Sequence, residues 1–281
     1  MQISFESSDE FLGKPMTPAT RATATIVIII IALVFSFHFV AKYFIFIAGL
    51  VTFYFGFNYL SQKRLIENTP TSKARSVAIG PAELVGKADF AEKPLVAPIT
   101  GEDCVYWRYE VKELHQHGKS SSWDTIDQGV SQSKFYIVDE TGRVLVNPEG
   151  AKVDIPFDFL YEWKSYMFTK PKPPSAKLFT EFVQKHKINL SGPPKKFIEW
   201  HIEPKDPLYI FGAATEIPGV VSAVASENIV IAKSKLFKLF YISDRSQQDV
   251  IKDFGMRATL YIVGGVLMSA VSLFTILTGF P

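Results

Sequence analysis

The stretch "APITGEDCVYWRYEV", Ala97 to Val111, sets Cys104, the only cysteine of the 281 residues, beside an arginine and three aromatic rings. A thiol nucleophile needs a lowered pKa, which a neighbouring cation, a metal or a helix N-terminus supplies. Cys104 instead follows Glu102 and Asp103, which disfavour a thiolate. A β-strand gives the stretch a plainer use. Val105, Trp107, Tyr109 and Val111 fall on one face, and Cys104, Tyr106, Arg108 and Glu110 on the other. The first set suits a core, and Cys104 reads as a small packed hydrophobe. A second stretch, "LHQHGKSSSWDTI", holds His115 and His117, which share a strand face and could begin a metal site. Two ligands are a weak signal, and nothing fixes Asp124 or Asp127 as a third. An exposed hairpin loop, with Gly118 and the three serines in the turn, accounts for the same residues. The chain has no Gly-x-Ser-x-Gly elbow, no Walker loop and no His-Glu-x-x-His, and its acids are scattered. No catalytic residue and no cofactor is expected.

The elements that would carry these residues separate by polarity. Residues 1–21 form a polar tail with Glu6, Asp9 and Glu10, unlike a secretory signal. Ala24 to Leu60 is apolar apart from His38, Lys42 and Asn58. A bilayer takes about 20 helical residues, and a lysine at its centre costs about 2.5 kcal/mol or more. A transmembrane helical hairpin over 22–60, with spans at 22–38 and 43–60 and His38–Lys42 in the turn, avoids that cost. Residues 257–280 give one further span. Its Gly265 and Ser269 stand one turn apart, a spacing too common in membrane helices to assign a partner. Lysines and arginines flank the central region at Lys63, Arg64, Lys73, Arg75, Lys252 and Arg257, which predicts a cytoplasmic soluble domain in an integral, multi-pass membrane protein. The formal charge of +2 gives no argument for a nucleic-acid partner.

Residues 61–74 read as a linker and 75–256 as a β-rich domain. "SVAI", "VYWRYEV", "KFYIVD", "RVLVNP", "FIEWHIEP", "PLYIFGAA" and "NIVIAK" are strand-like. Asp139 and Gly142 shape a hairpin turn between two of them. Residues 157–196 look like an insertion. They carry the connector "KPKPP" and a short amphipathic helix around Leu178, Phe179, Phe182 and Val183. Their aromatic content makes this insertion the expected site for a protein partner. Ser243 is the expected N-cap of a helix leading into the last span.

The blocks "RSVAIGPAELVGKADFAEKPLVAPITGEDCVYWRYEV", "SSWDTIDQGV", "KFYIVDETGRVLVNPEGAKVD", "FIEWHIEPKDPLYIFGAA" and "YISDRSQQDVI" follow in order. Together they resemble the GIDE domain, the membrane-adjacent β-rich domain of the mitochondrial-anchored RING ubiquitin ligase. They resemble more nearly the prokaryotic and archaeal proteins that share that domain, which places the chain in a prokaryotic or archaeal cell membrane. Gly80, Cys104, Trp107, Arg108, Trp123, Phe135, Asp139, Gly142, Gly212 and Ser243 are the family-pattern positions, expected to be structural. The resemblance implies ubiquitin-transfer activity, but one cysteine cannot build a RING. Lys205 stands where relatives often carry glycine before aspartate. The expected fold is therefore a membrane protein with a mainly-β (α+β) soluble domain, between an N-terminal hairpin and a C-terminal transmembrane helix. The expected role is a non-catalytic, bilayer-apposed scaffold or binding module. The alternative is an accessory subunit of a membrane ubiquitin-like ligase or protease system.

Overall fold

No glycine or proline interrupts the chain between Ala19 and Ala48, and one helix, α1 (Pro18–Glu67), runs through this stretch. The hairpin expected over 22–60 is not formed. Its proposed turn at His38–Lys42 offers none of the Gly, Pro, Asn or Asp residues that bend a chain, and the 50-residue helix extends for about 75 Å. The computed structural model describes residues 18–118, 120–164, 175–220, 225–235 and 239–279. These form two units, one of residues 1–60 with 256–281, the other of 61–255.

In the first unit, α1 packs against the second long helix, α3 (Gln247–Thr278), in antiparallel register. The contact is made through small residues. A Cβ built on Gly265 would lie 2.5 Å from the Phe53 backbone nitrogen, and one on Gly49 would lie 2.8 Å from that of Ser269. Gly56 meets Ile262 in the same way, Ser272 Oγ donates to the Lys42 carbonyl at 2.5 Å, and Tyr59 lies beside Tyr261. Gly265 and Ser269, given no partner from sequence, thus hold a helix–helix contact. Outward, Phe44, Tyr54, Leu260, Phe274 and Leu277 are exposed.

In the second unit, along the chain, come β1 (Thr71–Ser72), β2 (Gly80–Phe90), β3 (Leu95–Val96), β4 (Asp103–Cys104), β5 (Tyr106–His117) and β6 (Ser120–Val130). Then follow β7 (Phe135–Val138), β8 (Arg143–Val146), β9 (Lys152–Asp154), β10 (Phe159–Trp163) and α2 (Ala176–Lys185). The rest are β11 (Lys195–Ile202), β12 (Pro207–Glu216), β13 (Ile229–Ala232) and β14 (Tyr241–Ser243). Strands β2, β7, β8, β13 and β12 pair in a ring that closes where β12 meets β2 from Pro207↔Lys87 to Ala214↔Gly80. Leu84, Phe135, Ile137, Val144, Val146, Ile210 and Ile231 fill this barrel. Gly212 is required there, since a Cβ on it would lie 2.7 Å from Ile231 Cγ2. Lys205 adopts φ +76 in the turn entering β12, a conformation that glycine takes without strain.

A four-stranded antiparallel sheet, β10-β11-β5-β6, carries the second core. Residues 157–196 are not an insertion on it. They supply its edge strand β10 and the helix α2, whose Phe179, Phe182 and Val183 are buried with Tyr109, Val111, Tyr161 and Phe197. Of the aromatic residues that suggested a docking flap, Phe159, Tyr161, Phe179 and Phe182 are core residues and Phe157 is exposed, while residues 165–174, with "KPKPP", lie outside the described residues. The hairpin expected around Gly118 forms, with Gly118 in its turn at φ +61, but the three serines are strand: β5 and β6 pair up to His117↔Ser120. Ser243 does not cap α3. It lies in β14, where its Oγ donates to the Asp154 carbonyl. Ser246 takes the capping role, accepting from Asp249 N at 3.3 Å and donating to Asp249 Oδ2 at 2.6 Å.

Candidate functional site

Strand alternation sends Trp107, Tyr109 and Val111 under α2 and leaves Arg108, Glu110 and Lys112 on the opposite face of the sheet. Register brings Trp200 of β11 beside Arg108, Ile198 beside Glu110 and Lys196 beside Lys112. The Arg108 guanidinium lies 4.8 Å from the Trp200 ring centroid and pairs with Glu110, whose other oxygen is 3.0 Å from Lys112 Nζ. Burial alone would raise the Glu110 pKa, but hydrogen bonds from Lys112 and Arg108 outweigh it and hold the carboxyl below the usual range. Lys196 Nζ sits 4.2 Å from the Trp123 centroid and 3.1 Å from Glu162 Oε1. This hydrogen bond lowers the Glu162 pKa. The result is a half-exposed sheet face on which cations lie over two indole rings.

At its Arg108 end this face runs into the turn between β8 and β9. A cleft of ≈ 420 Å³ lies between Arg108, Gln128, Val130 and Ser131 on the sheet and Pro148–Ala151 on the turn. A second cleft, of ≈ 780 Å³, lies beyond the same turn against Lys233, Ser234 and Lys235. The first is mostly polar and the second offers lysine charge, so both can supply hydrogen bonds.

Of the residues singled out from sequence, Arg108 and Trp123 belong to this surface. Trp107 stacks beside Tyr109 under α2. Cys104 is fully buried, and burial, reinforced by the carboxylates of Glu199 and Asp103, pushes its thiol up to about 12, the opposite of a nucleophile. The loop before it is held by Glu199, which accepts from Ile99 N at 2.6 Å and Thr100 N at 3.1 Å. His115 lies 3.4 Å from Glu113, and the side chain of His117 is outside those described. Among the described residues, no group of three His, Cys, Asp or Glu could hold a metal ion. Phe135 fills the barrel, and Gly80 opens β2 at φ +127.

Asp139 has a larger part than its hairpin alone. Its Oδ1 accepts from Thr141 N, Thr141 Oγ1 and Gly142 N, and its Oδ2 accepts from Ala74 N at 2.8 Å in the segment after α1. Burial opposes its ionised form, but these hydrogen bonds win and lower its pKa. The stabilisation is therefore present above the unfolded value of about 3.9 and lost as pH falls through the lower folded value. Asp139→Ala is expected to cost about 2 kcal/mol at neutral pH. In denaturant titrations of both proteins, the gap should narrow steadily below pH 4. A gap that stays constant down to pH 2 would contradict this assignment.

Three groups escaped sequence reasoning. Trp200 and Lys196 reach the site only through strand register. Glu83, fully buried, accepts from Thr71 Oγ1 at 2.6 Å, Tyr209 OH at 3.0 Å and Gln247 Nε2 at 3.0 Å. His186, at the end of α2, has its Nδ1 2.9 Å from Asp127 Oδ2 and 3.1 Å from Tyr109 OH, which fastens the helix to β6. No local motif announces any of them.

Against known proteins, a family model described as "GIDE: E3 Ubiquitin ligase" matches residues 107–278. The match spans more than half of the chain, starting inside β5 at Trp107 and ending with α3, so that β2 lies outside it. No curated protein and no solved structure matches the chain.

Proposed function

This chain belongs to the GIDE family, and from that premise we propose that it is a two-pass membrane protein whose helices present a non-catalytic β domain as a binding module at the bilayer surface. The observation that carries the reading is the paired, uncharged stretch of the two helices. Between Lys42 and Lys63, α1 has no charged residue, and after Arg257, α3 has none to its end at Thr278. Each stretch matches the roughly 20 residues that cross a hydrocarbon core. Over the same stretches the helices pack on each other through glycine and expose apolar side chains outward. Lys42 then marks the far interface, where its long side chain reaches the headgroups. The basic residues near the domain favour its cytoplasmic placement. With one helix rather than a hairpin before the domain, both termini lie across the membrane from it.

The family description supports a second reading, an accessory part of a ubiquitin-ligase system. These 281 residues hold one buried cysteine, and a RING draws its zinc ligands from several. Transfer chemistry would then lie outside these residues.

The test is alkaline extraction of membranes containing the full chain, with protease protection of a tag placed at either end. The chain should stay in the membrane pellet, with both tags on the side opposite the domain. Release by alkali, or one tag on the domain's side, would overturn the two-pass reading.

A further inference from the structure

We propose that the two clefts flanking the turn Asn147–Gly150 together bind an extended, acidic segment of a partner protein. The inference rests on the binding-module reading above and names the chemistry of what is bound. The clefts share Glu149 and Gly150 and so form one bipartite site across the turn. The turn is preformed. Asn147 Oδ1 accepts from Glu149 N at 3.3 Å, Ala151 N donates to the Pro148 carbonyl at 3.0 Å, and Gly150 takes φ +74. A Cβ on Gly150 would lie 2.7 Å from Lys233 Cδ, so the lysine stem lies across the turn with its ammonium in the larger cleft.

Charge sets the ligand's pattern. At one end Lys233 and Lys235 stand together. At the other, Arg108 and Lys112 share the single carboxylate of Glu110, which leaves net positive charge there. Glu149 lies between the ends and repels acids at the middle. A segment with acidic residues at both ends and a neutral centre complements this order. Gln128 and Asn147 supply side-chain amides for its main chain. Small molecules favour enclosed pockets, whereas these clefts are open and carry charge at both ends, as suits a peptide.

The full chain, reconstituted in nanodiscs of zwitterionic lipid, would be titrated with a fluorescent 12-residue peptide carrying glutamates at both ends around a Ser/Tyr centre. Saturable binding is expected. It should weaken about tenfold or more when the glutamates become glutamines, and equally in the double variant Lys233→Glu/Lys235→Glu. Lys177→Glu, a charge reversal on exposed α2, should bind as the unaltered chain does. An unchanged unfolding midpoint in the double variant shows that the fold survives. The proposal is overturned by absence of saturable binding, by equal affinity for the glutamine peptide, or by a double variant that matches Lys177→Glu. It is also overturned if the same lysines retain anionic vesicles in preference to the peptide, which would assign the site to lipid. Incorporation into nanodiscs without peptide binding defeats this inference alone. Failure to incorporate defeats the membrane reading beneath it.

Discussion

Glu83→Ala is expected to destabilise the β domain by about 3 kcal/mol, because it strands the Tyr209 hydroxyl inside the protein and releases Thr71 and Gln247. Each stranded buried donor costs roughly 1–3 kcal/mol, but Thr71 and Gln247 are only part-buried and recover water, which keeps the total well below the sum. Burial, with Glu83 beside it, holds the Tyr209 hydroxyl protonated as a donor. Glu83 sits opposite both Thr71 of β1 and Phe211 of β12. Through Gln247 it also reaches the first turn of α3. One side chain therefore fixes to the barrel wall the segment that follows α1 and the segment that begins α3. Glu83→Gln keeps a carbonyl acceptor and is expected to lose about 1 kcal/mol. Urea unfolding of the detergent-solubilised chain, followed by tryptophan fluorescence, reads both. A loss in Glu83→Ala of less than about 0.5 kcal/mol, the range of ordinary surface changes, would mean that the three hydrogen bonds are not what holds these segments.

Which parts of this architecture could be read from sequence depended on whether a strand owes its place to its own residues or to its neighbours. The β7–β8 hairpin could be read because Val, Ile, Tyr and Phe alternate on both sides of a turn whose Asp139 bonds to its own loop. The strand β2 could not. "GPAELVGKADF" is poor in strand-forming types, yet it pairs with β1, β7 and β12. What stabilises it is closure of the barrel, which no local window contains. The strand β6 was hidden for the same reason: its serines and aspartates read as a loop, while the 12-residue β5 supplies its partner. The α2 helix was legible in its spacing, but the depth of its burial was not, since Phe197 and Tyr109 come from strands on either side of it in sequence. A deletion of 157–196, attractive for an insertion, would remove half of that core. Charge reversals at exposed lysines are the better probe of binding. Arg108 and Trp123 could be picked individually, but the surface they form required the register that aligned Trp200 and Lys196 with them.

Two adjacent glycines in α3 should respond to the same substitution with opposite signs. A Cβ on Gly265 would lie 2.5 Å from the Phe53 nitrogen and 2.8 Å from the Gly49 carbonyl oxygen, both backbone atoms that cannot turn aside. A Cβ on Gly264 would meet nothing within 4 Å. Gly264→Ala should therefore stabilise the helix by up to about 1 kcal/mol through propensity alone. Gly265→Ala gains the same propensity but forces the helices apart, for a net loss of about 2–3 kcal/mol. Parting them also lengthens the hydrogen bond from Ser272 Oγ to the Lys42 carbonyl. Thermal unfolding midpoints of the two variants in one detergent make the comparison, and each serves as the other's control for solubility and expression. If both midpoints rise, the glycines are there for composition and α1 and α3 do not pack as described. If only Gly265→Ala falls, close backbone approach is what pairs the helices.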